Sequence, residues 1–165
     1  MGTMFSDIVK DTKIAKNVIK VGENESKQQD NVVKNRFMIH KSNDEKMLAF
    51  GWANVAIRTD GEKVVDWQED VVEPEVLEEA AYNFVRFYRE GGEMHERGDC
   101  AVLIESVMFT TEKMEAMGIP MGIVPEGWWI GFRVTDAGVW EKVKDGTYPM
   151  FSIEGSAIRE EVNEE

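Results

Sequence analysis

The sequence has very few residues that bind metals or form disulfides: one cysteine, Cys100, and two histidines, His40 and His95. A single cysteine excludes an intramolecular disulfide, and we expect no cysteine-based zinc site. No run of about 18 apolar residues occurs, so we predict no membrane span and no membrane partner. The N-terminus also lacks the apolar core of a signal peptide. These absences fit a reducing, cytoplasmic setting.

Positive charge is scarce as well. The chain carries 19 Lys and Arg against 32 Asp and Glu, a formal net charge of −13. Nucleic-acid binding depends on clustered Lys and Arg that neutralise phosphates, so we expect no nucleic-acid partner. The phosphate-binding patterns GxGxxG and the P-loop are missing, and the acidic stretch 62–75 lacks the alternating Asp and Gly of a calcium loop. The sequence therefore predicts no cofactor.

What remains is an ordinary soluble composition, 42% hydrophobic and 31% charged, in 165 residues. This length suffices for one domain with its own core. The stretch GENESKQQDN (22–31) is polar and aperiodic, which indicates a linker. We therefore predict an N-terminal arm and polar linker over residues 1–35 and a domain over residues 36–165.

Two helices have clear sequence signals. Apolar residues recur at helical spacing from Pro74, a favoured first helical residue, to about Glu90, and the pair Gly91-Gly92 is the expected stop. A second helix is predicted in DAGVWEKVKDG, with Thr135 or Asp136 as its cap.

The rest of the domain is predicted to consist mainly of strands. TDGEK (59–63) is typical of a hairpin turn, and the last strand is predicted over YPMFSIEGSAI (148–158). Because strands outnumber helices, we predict an α+β fold, with helices around a small antiparallel barrel or curved sheet.

A serine occupies a polar position in the last predicted strand. Side-chain alternation places Phe151, Ile153 and Ala157 on one face and Ser152 and Glu154 on the other. Ser152 is therefore not expected in the core. It is either a solvent-exposed strand residue or a nucleophile that requires a nearby base.

The best-placed candidate base is His95, between the long helix and the next strand. Glu93, Glu96 and Asp99 flank it, and a carboxylate can orient an imidazole and stabilise its charged form. A surface histidine, a general base and a metal or ligand site at EMHERGD all remain open, although the spacing is not that of HExxH. We interpret Cys100, which begins an apolar run, as a buried thiol.

Three blocks in order resemble the XkdF-like phage serine proteases: GWANVAIRTDGEKVVDWQEDVVEPEVLEEAAYNFV, GGEMHERG, and GWWIGFRVTD continuing to VWEKVKDGTYPMFSIEGSAIRE. They cover roughly residues 36–160. This family is related to the prohead maturation proteases of tailed phages, whose fold is similar to herpesvirus assemblin. The resemblance implies an assemblin-like fold and a serine endopeptidase that cuts scaffold and capsid-protein segments during head maturation.

The resemblance also implies catalytic roles. Prohead proteases place a histidine after the helix and a nucleophile in an SIG-like strand motif, which here correspond to His95 and Ser152, with Glu154 in place of the glycine. The third triad member of the phage relatives is an acid on a later strand, and little sequence follows Ser152. We therefore expect a C-terminally truncated domain with little peptidase activity, unless Glu105 or Glu154 replaces that acid.

The implied partners are the scaffold and major capsid proteins, together with self-association. The implied location is the host cytoplasm, inside the assembling prohead, and no metal or organic cofactor is implied. The alternative is a non-catalytic capsid-assembly or scaffold-associated protein that retains the protease fold. The net charge of −13 and the incomplete triad favour this alternative.

Overall fold

The computed structural model describes residues 12–16, 39–43, 45–66, 70–94, 96–153 and 157–161. The strands in these residues are β1 (Thr12–Lys16), β2 (Ile39–Asn43), β3 (Leu48–Ile57), β4 (Asp70–Val72), β5 (Glu90–Glu93), β6 (Arg97–Phe109), β7 (Glu126–Val134) and β8 (Ala157–Glu161). The helices are α1 (Pro74–Phe87), α2 (Thr111–Ala116) and α3 (Ala137–Lys144). Among the helices that the structure describes, none combines the length and apolarity needed to cross a bilayer.

A five-stranded antiparallel sheet in the order β2-β3-β7-β6-β5 forms the main layer. Its ladders contain several register shifts, including one between Trp52 and Asn54 in β3 and one between Leu103 and Glu105 in β6. Such bulges bend strands and increase their twist. The sheet accordingly curls into a half-barrel, which confirms the predicted combination of helices with a curved antiparallel sheet.

The predicted N-terminal arm contains one described strand. β1 pairs antiparallel with β4 and parallel with β8, so the smaller sheet has the order β4-β1-β8. Strand pairing in this sheet thereby connects the first and last described segments of the chain.

The core lies between α1 and the inner face of the main sheet. Phe84 of α1 is fully buried, and its ring lies 5.4 Å from that of Trp128 and 6.3 Å from that of Phe132, both on β7. The indole of Trp128 donates a hydrogen bond of 2.9 Å to Ser106 Oγ on β6. Burial of this indole is therefore compatible with its polar N–H.

The start of α1 agrees with its predicted position, but its end does not. Pro74 opens the helix as predicted, whereas the helix ends at Phe87 and not at Gly91-Gly92. Arg89 adopts the left-handed conformation, with a φ of 62°, and its N–H bonds to Phe84 O. Gly91 belongs to β5, where an added Cβ would lie 2.9 Å from Ala101 Cβ. Glycine at this position therefore allows β5 and β6 to pack closely.

Two local predictions are confirmed. The hairpin turn at residues 59–63 closes with an Arg58 N–H to Glu62 O bond of 2.8 Å, and Gly61 takes a φ of 87°. Asp136 caps α3, because its Oδ1 accepts a hydrogen bond of 3.0 Å from the Val139 N–H.

The predicted strand over residues 148–158 is wrong in its central part. Phe151–Ile153 belong to no strand, and β8 begins only at Ala157. The expected alternation is nevertheless present, because Phe151 and Ile153 pack against the core while Ser152 is exposed. An apolar residue at every second position thus indicates that alternate side chains are buried. Such burial does not require the residues to form a strand with continuous backbone hydrogen bonds.

We predict that Phe84→Ala lowers the free energy of unfolding by roughly 3–5 kcal/mol, because it removes a fully buried ring between two other rings. Phe87→Ala is the matched control in the same helix, and its ring is 61% exposed. We expect the control to change stability by less than about 1 kcal/mol. Urea unfolding curves measure both, and equal losses would contradict the described packing of α1.

Candidate active site

A cavity of about 320 Å³ lies on the inner face of the sheet. Its walls are mainly apolar side chains of β3, β7 and α3. Representative lining residues are Ala49, Ala53, Trp128, Phe132 and Val139. The segment that connects α3 to β8 closes one side of the cavity, and residues of β5 contribute to another.

Ser152 lies on that connecting segment and borders the cavity. It is exposed, whereas its neighbours Phe151 and Ile153 are half-buried and pack on the core. The Phe151 ring lies 5.6 Å from that of Phe132. Ser152 is therefore anchored on both sides, at a position that both solvent and the cavity can reach.

The predicted partners His95 and Glu154 lie outside the described residues. Met94, the residue directly before His95, lines the same cavity as Ser152 and is 64% exposed. Two segments that are far apart in the sequence, the end of β5 and the segment around Ser152, therefore border one space.

Glu93 connects these two segments through hydrogen bonds. Its Oε1 accepts one of 2.5 Å from Lys142 Nζ and one of 2.8 Å from the hydroxyl of Tyr148. Its Oε2 accepts one of 2.9 Å from Arg97 Nη2. Arg97 Nη1 in turn donates to Oδ2 of Asp136 at 3.0 Å. We call Glu93, Arg97, Asp136, Lys142 and Tyr148 the Glu93 cluster.

The electrostatics of the Glu93 cluster keep its central carboxylate ionised. The hydrogen bond from Lys142, followed by that from Tyr148, lowers the pKa of Glu93 from 4.5 to about 2. The Val139 N–H and Arg97 likewise lower the pKa of Asp136. Because its hydrogen bonds favour the charged form, Glu93 is suited to fixing the geometry of the cavity rim.

The sequence indicates a role for Glu93 only as a neighbour of His95. Its partners Lys142 and Tyr148 come from α3 and the segment after it. No local sequence motif predicts such a long-range contact. The sequence shows an acidic residue shortly before His95 and lysines in the last turn of α3. Neither feature predicts that the two would form a contact.

Glu105 does not lie beside Ser152. It is exposed on β6 and is paired in register with Gly131 of β7. The residues on either side of Gly131, Ile130 and Phe132, line the cavity. Since side chains alternate across a strand, the Gly131 and Glu105 positions belong to the opposite face of the sheet.

Cys100 is a buried thiol, as the sequence predicted. It is 2% exposed and donates a hydrogen bond of 3.3 Å to Gly98 O. Burial raises the pKa of this thiol, which disfavours the reactive thiolate. Within the described residues, no three His, Cys, Asp or Glu side chains converge as metal ligands would.

Residues 34–161 match the family described as "Putative phage serine protease XkdF". The chain belongs to this family. The match confirms the resemblance drawn from the sequence blocks, and it includes both the cavity and the Ser152 segment. No curated protein and no solved structure matches the chain significantly.

The low pKa of Glu93 predicts an acid-dependent stability difference between the wild type and Glu93→Gln. A carboxyl group whose folded pKa is depressed stabilises the fold above its unfolded pKa, and this contribution disappears as the pH falls through the folded value. We therefore expect the wild-type advantage to be full above about pH 4.5 and to shrink towards pH 2.

Urea midpoints measured at steps between pH 7 and pH 2 test this expectation. Glu115→Gln, a change of the same chemistry on the exposed surface of α2, is the control. A wild-type advantage over Glu93→Gln that is independent of pH would show that the carboxylate charge does not stabilise the cavity rim.

Proposed function

We propose that this chain is the serine endopeptidase of phage head maturation, with an assemblin-like fold, in which Ser152 is the nucleophile and His95 the general base. The observation that supports the proposal is the position of Ser152 at the rim of an apolar cavity. The cavity also borders Met94, which directly precedes His95.

The chemistry follows from these roles. Ser152 Oγ attacks the carbonyl carbon of the scissile peptide bond while His95 accepts its proton. The C–N bond then breaks, and His95 returns the proton to the departing amine. Water next attacks the Ser152 ester, with His95 again as the base, which releases the acid and restores the serine. No metal or organic cofactor takes part.

The third component of the proposed site is an acid that orients His95. Glu105 lies on the opposite face of the sheet, so Glu154 is the remaining predicted acid for this role. An imidazole without an orienting acid can lose roughly 10⁴-fold in turnover. We therefore expect the acylation of Ser152 to be slow.

The proposed substrates are scaffold and capsid-protein segments, which would be cut inside the assembling prohead in the host cytoplasm. Scaffold and major capsid proteins are then the partners, and self-association accompanies assembly. In this proposal residues 36–165 form the protease domain, and residues 1–35 form an arm and linker. The placement of Glu105 favours a second candidate, a capsid-assembly protein that keeps the fold without catalysis.

We predict slow labelling by a fluorophosphonate that disappears in Ser152→Ala and in His95→Ala, because acylation needs both nucleophile and base. Thr147→Ala is the matched control, since it removes an exposed hydroxyl that borders the same cavity. We expect this control to retain the wild-type rate. Mass spectrometry of the labelled peptide identifies the modified residue.

Co-expression with the phage scaffold and capsid proteins tests the biological role. Cleavage by the wild type and not by Ser152→Ala supports the endopeptidase. The absence of both labelling and cleavage, with capsid assembly still dependent on the chain, would favour the non-catalytic candidate.

A further inference from the structure

The cavity beside Ser152 is large enough to hold a bulky side chain. An apolar cavity of roughly 150 Å³ can bind benzene, and small-molecule pockets begin at about 300 Å³. The cavity measures about 320 Å³. A phenyl ring or a branched alkyl group therefore fits, and a methyl group would leave most of the volume empty.

The space arises where small residues lie beside large ones. Ala49 and Ala53 of β3 line the cavity next to the rings of Trp128 and Phe132 on the adjacent strand β7. At strand positions that face inward, larger side chains would fill this volume. The sequence instead leaves an apolar recess directly beside the exposed Ser152.

The described part of the recess is a poor environment for a charged guest. Among the described residues that line it, Glu93 carries the one ionised side chain, and both of its oxygens accept hydrogen bonds from Lys142, Tyr148 and Arg97. A lysine or glutamate side chain that entered the recess would lose water without gaining an equivalent partner, which is unfavourable. A leucine, methionine or phenylalanine side chain would instead gain from burial.

We propose that this cavity is a specificity subsite for a bulky apolar side chain of the peptide that Ser152 cleaves. The inference rests on the proposed function and names its substrate class: peptides with Leu, Met or Phe next to the scissile bond. The wall residues Ala49 and Ala53 then determine specificity by their small size.

The first experiment measures binding without catalysis. The Ser152→Ala chain is titrated with N-acetyl-phenylalanine amide, N-acetyl-leucine amide and N-acetyl-lysine amide, and the methyl resonances of Ile130 and Val134 in the cavity wall are followed by NMR. We expect saturable shifts with the phenylalanine and leucine amides and none with the lysine amide. Ala53→Leu, which fills the recess, should abolish these shifts.

The second experiment measures acylation. Peptidyl diphenyl phosphonates that differ only in the residue next to phosphorus are compared by their rates of Ser152 labelling. We expect Leu and Phe probes to exceed the Ala probe by at least about 10- to 200-fold, the range for a single methylene group in an apolar pocket. Ala53→Leu should remove this preference, and Ala116→Leu, the same change on the exposed surface of α2, should keep it.

The outcomes separate the two proposals. Labelling of Ser152 by a generic fluorophosphonate without any preference among phosphonates, or without binding of the apolar amides, overturns the subsite and leaves the proposed function standing. Binding of the amides without any Ser152 labelling overturns the proposed function, and with it the assignment of the cavity to a substrate. Circular dichroism of Ala53→Leu and Ala116→Leu verifies that both variants are folded.

Discussion

The carboxylate of Glu93 is the point at which the parts of the candidate site are joined. It accepts hydrogen bonds from Arg97 on β6, Lys142 on α3 and Tyr148 on the segment that contains Ser152. Glu93 itself is the last residue of β5. Ion pairs on protein surfaces usually contribute little to stability. This one differs because three donors share one carboxylate whose side chain is only 16% exposed. The rim of the cavity depends on this convergence.

The cavity and the rim have different physical origins. The recess follows from the small side chains Ala49 and Ala53 on β3, which lie beside the rings of β7, and it is a matter of apolar packing. The rim is held by charge, since the Glu93 cluster joins side chains of β5, β6 and α3 to Tyr148 of the Ser152 segment. Membership of the XkdF family gives this arrangement a chemical context, because a serine protease needs an accessible nucleophile beside a space for its substrate.

The features that the sequence predicted correctly are local. Proline at the start of α1, the Asp-Gly turn and the Asp136 cap each depend on residues within one or two turns of chain. The errors arise where the backbone departs from the conformation that the residue types favour. The end of α1 is set by Arg89 in a conformation usually given to glycine, and the Ser152 segment keeps its alternation without a ladder. The side of the sheet on which Glu105 lies could not be predicted either, because the bulge after Leu103 changes which residues share a side of β6.

The position of β1 between β4 and β8 has a consequence for the order of folding. Thr12–Lys16 pair residue by residue with Ala157–Glu161, so the smaller sheet joins segments from opposite ends of the described chain. Contacts of such long sequence separation form slowly, because the intervening chain must first be brought to close the loop. During synthesis on the ribosome, β1 emerges before β2 to β7 and can pair with β8 only after β8 has been made. The small sheet is therefore completed only after the strands of the half-barrel have been made.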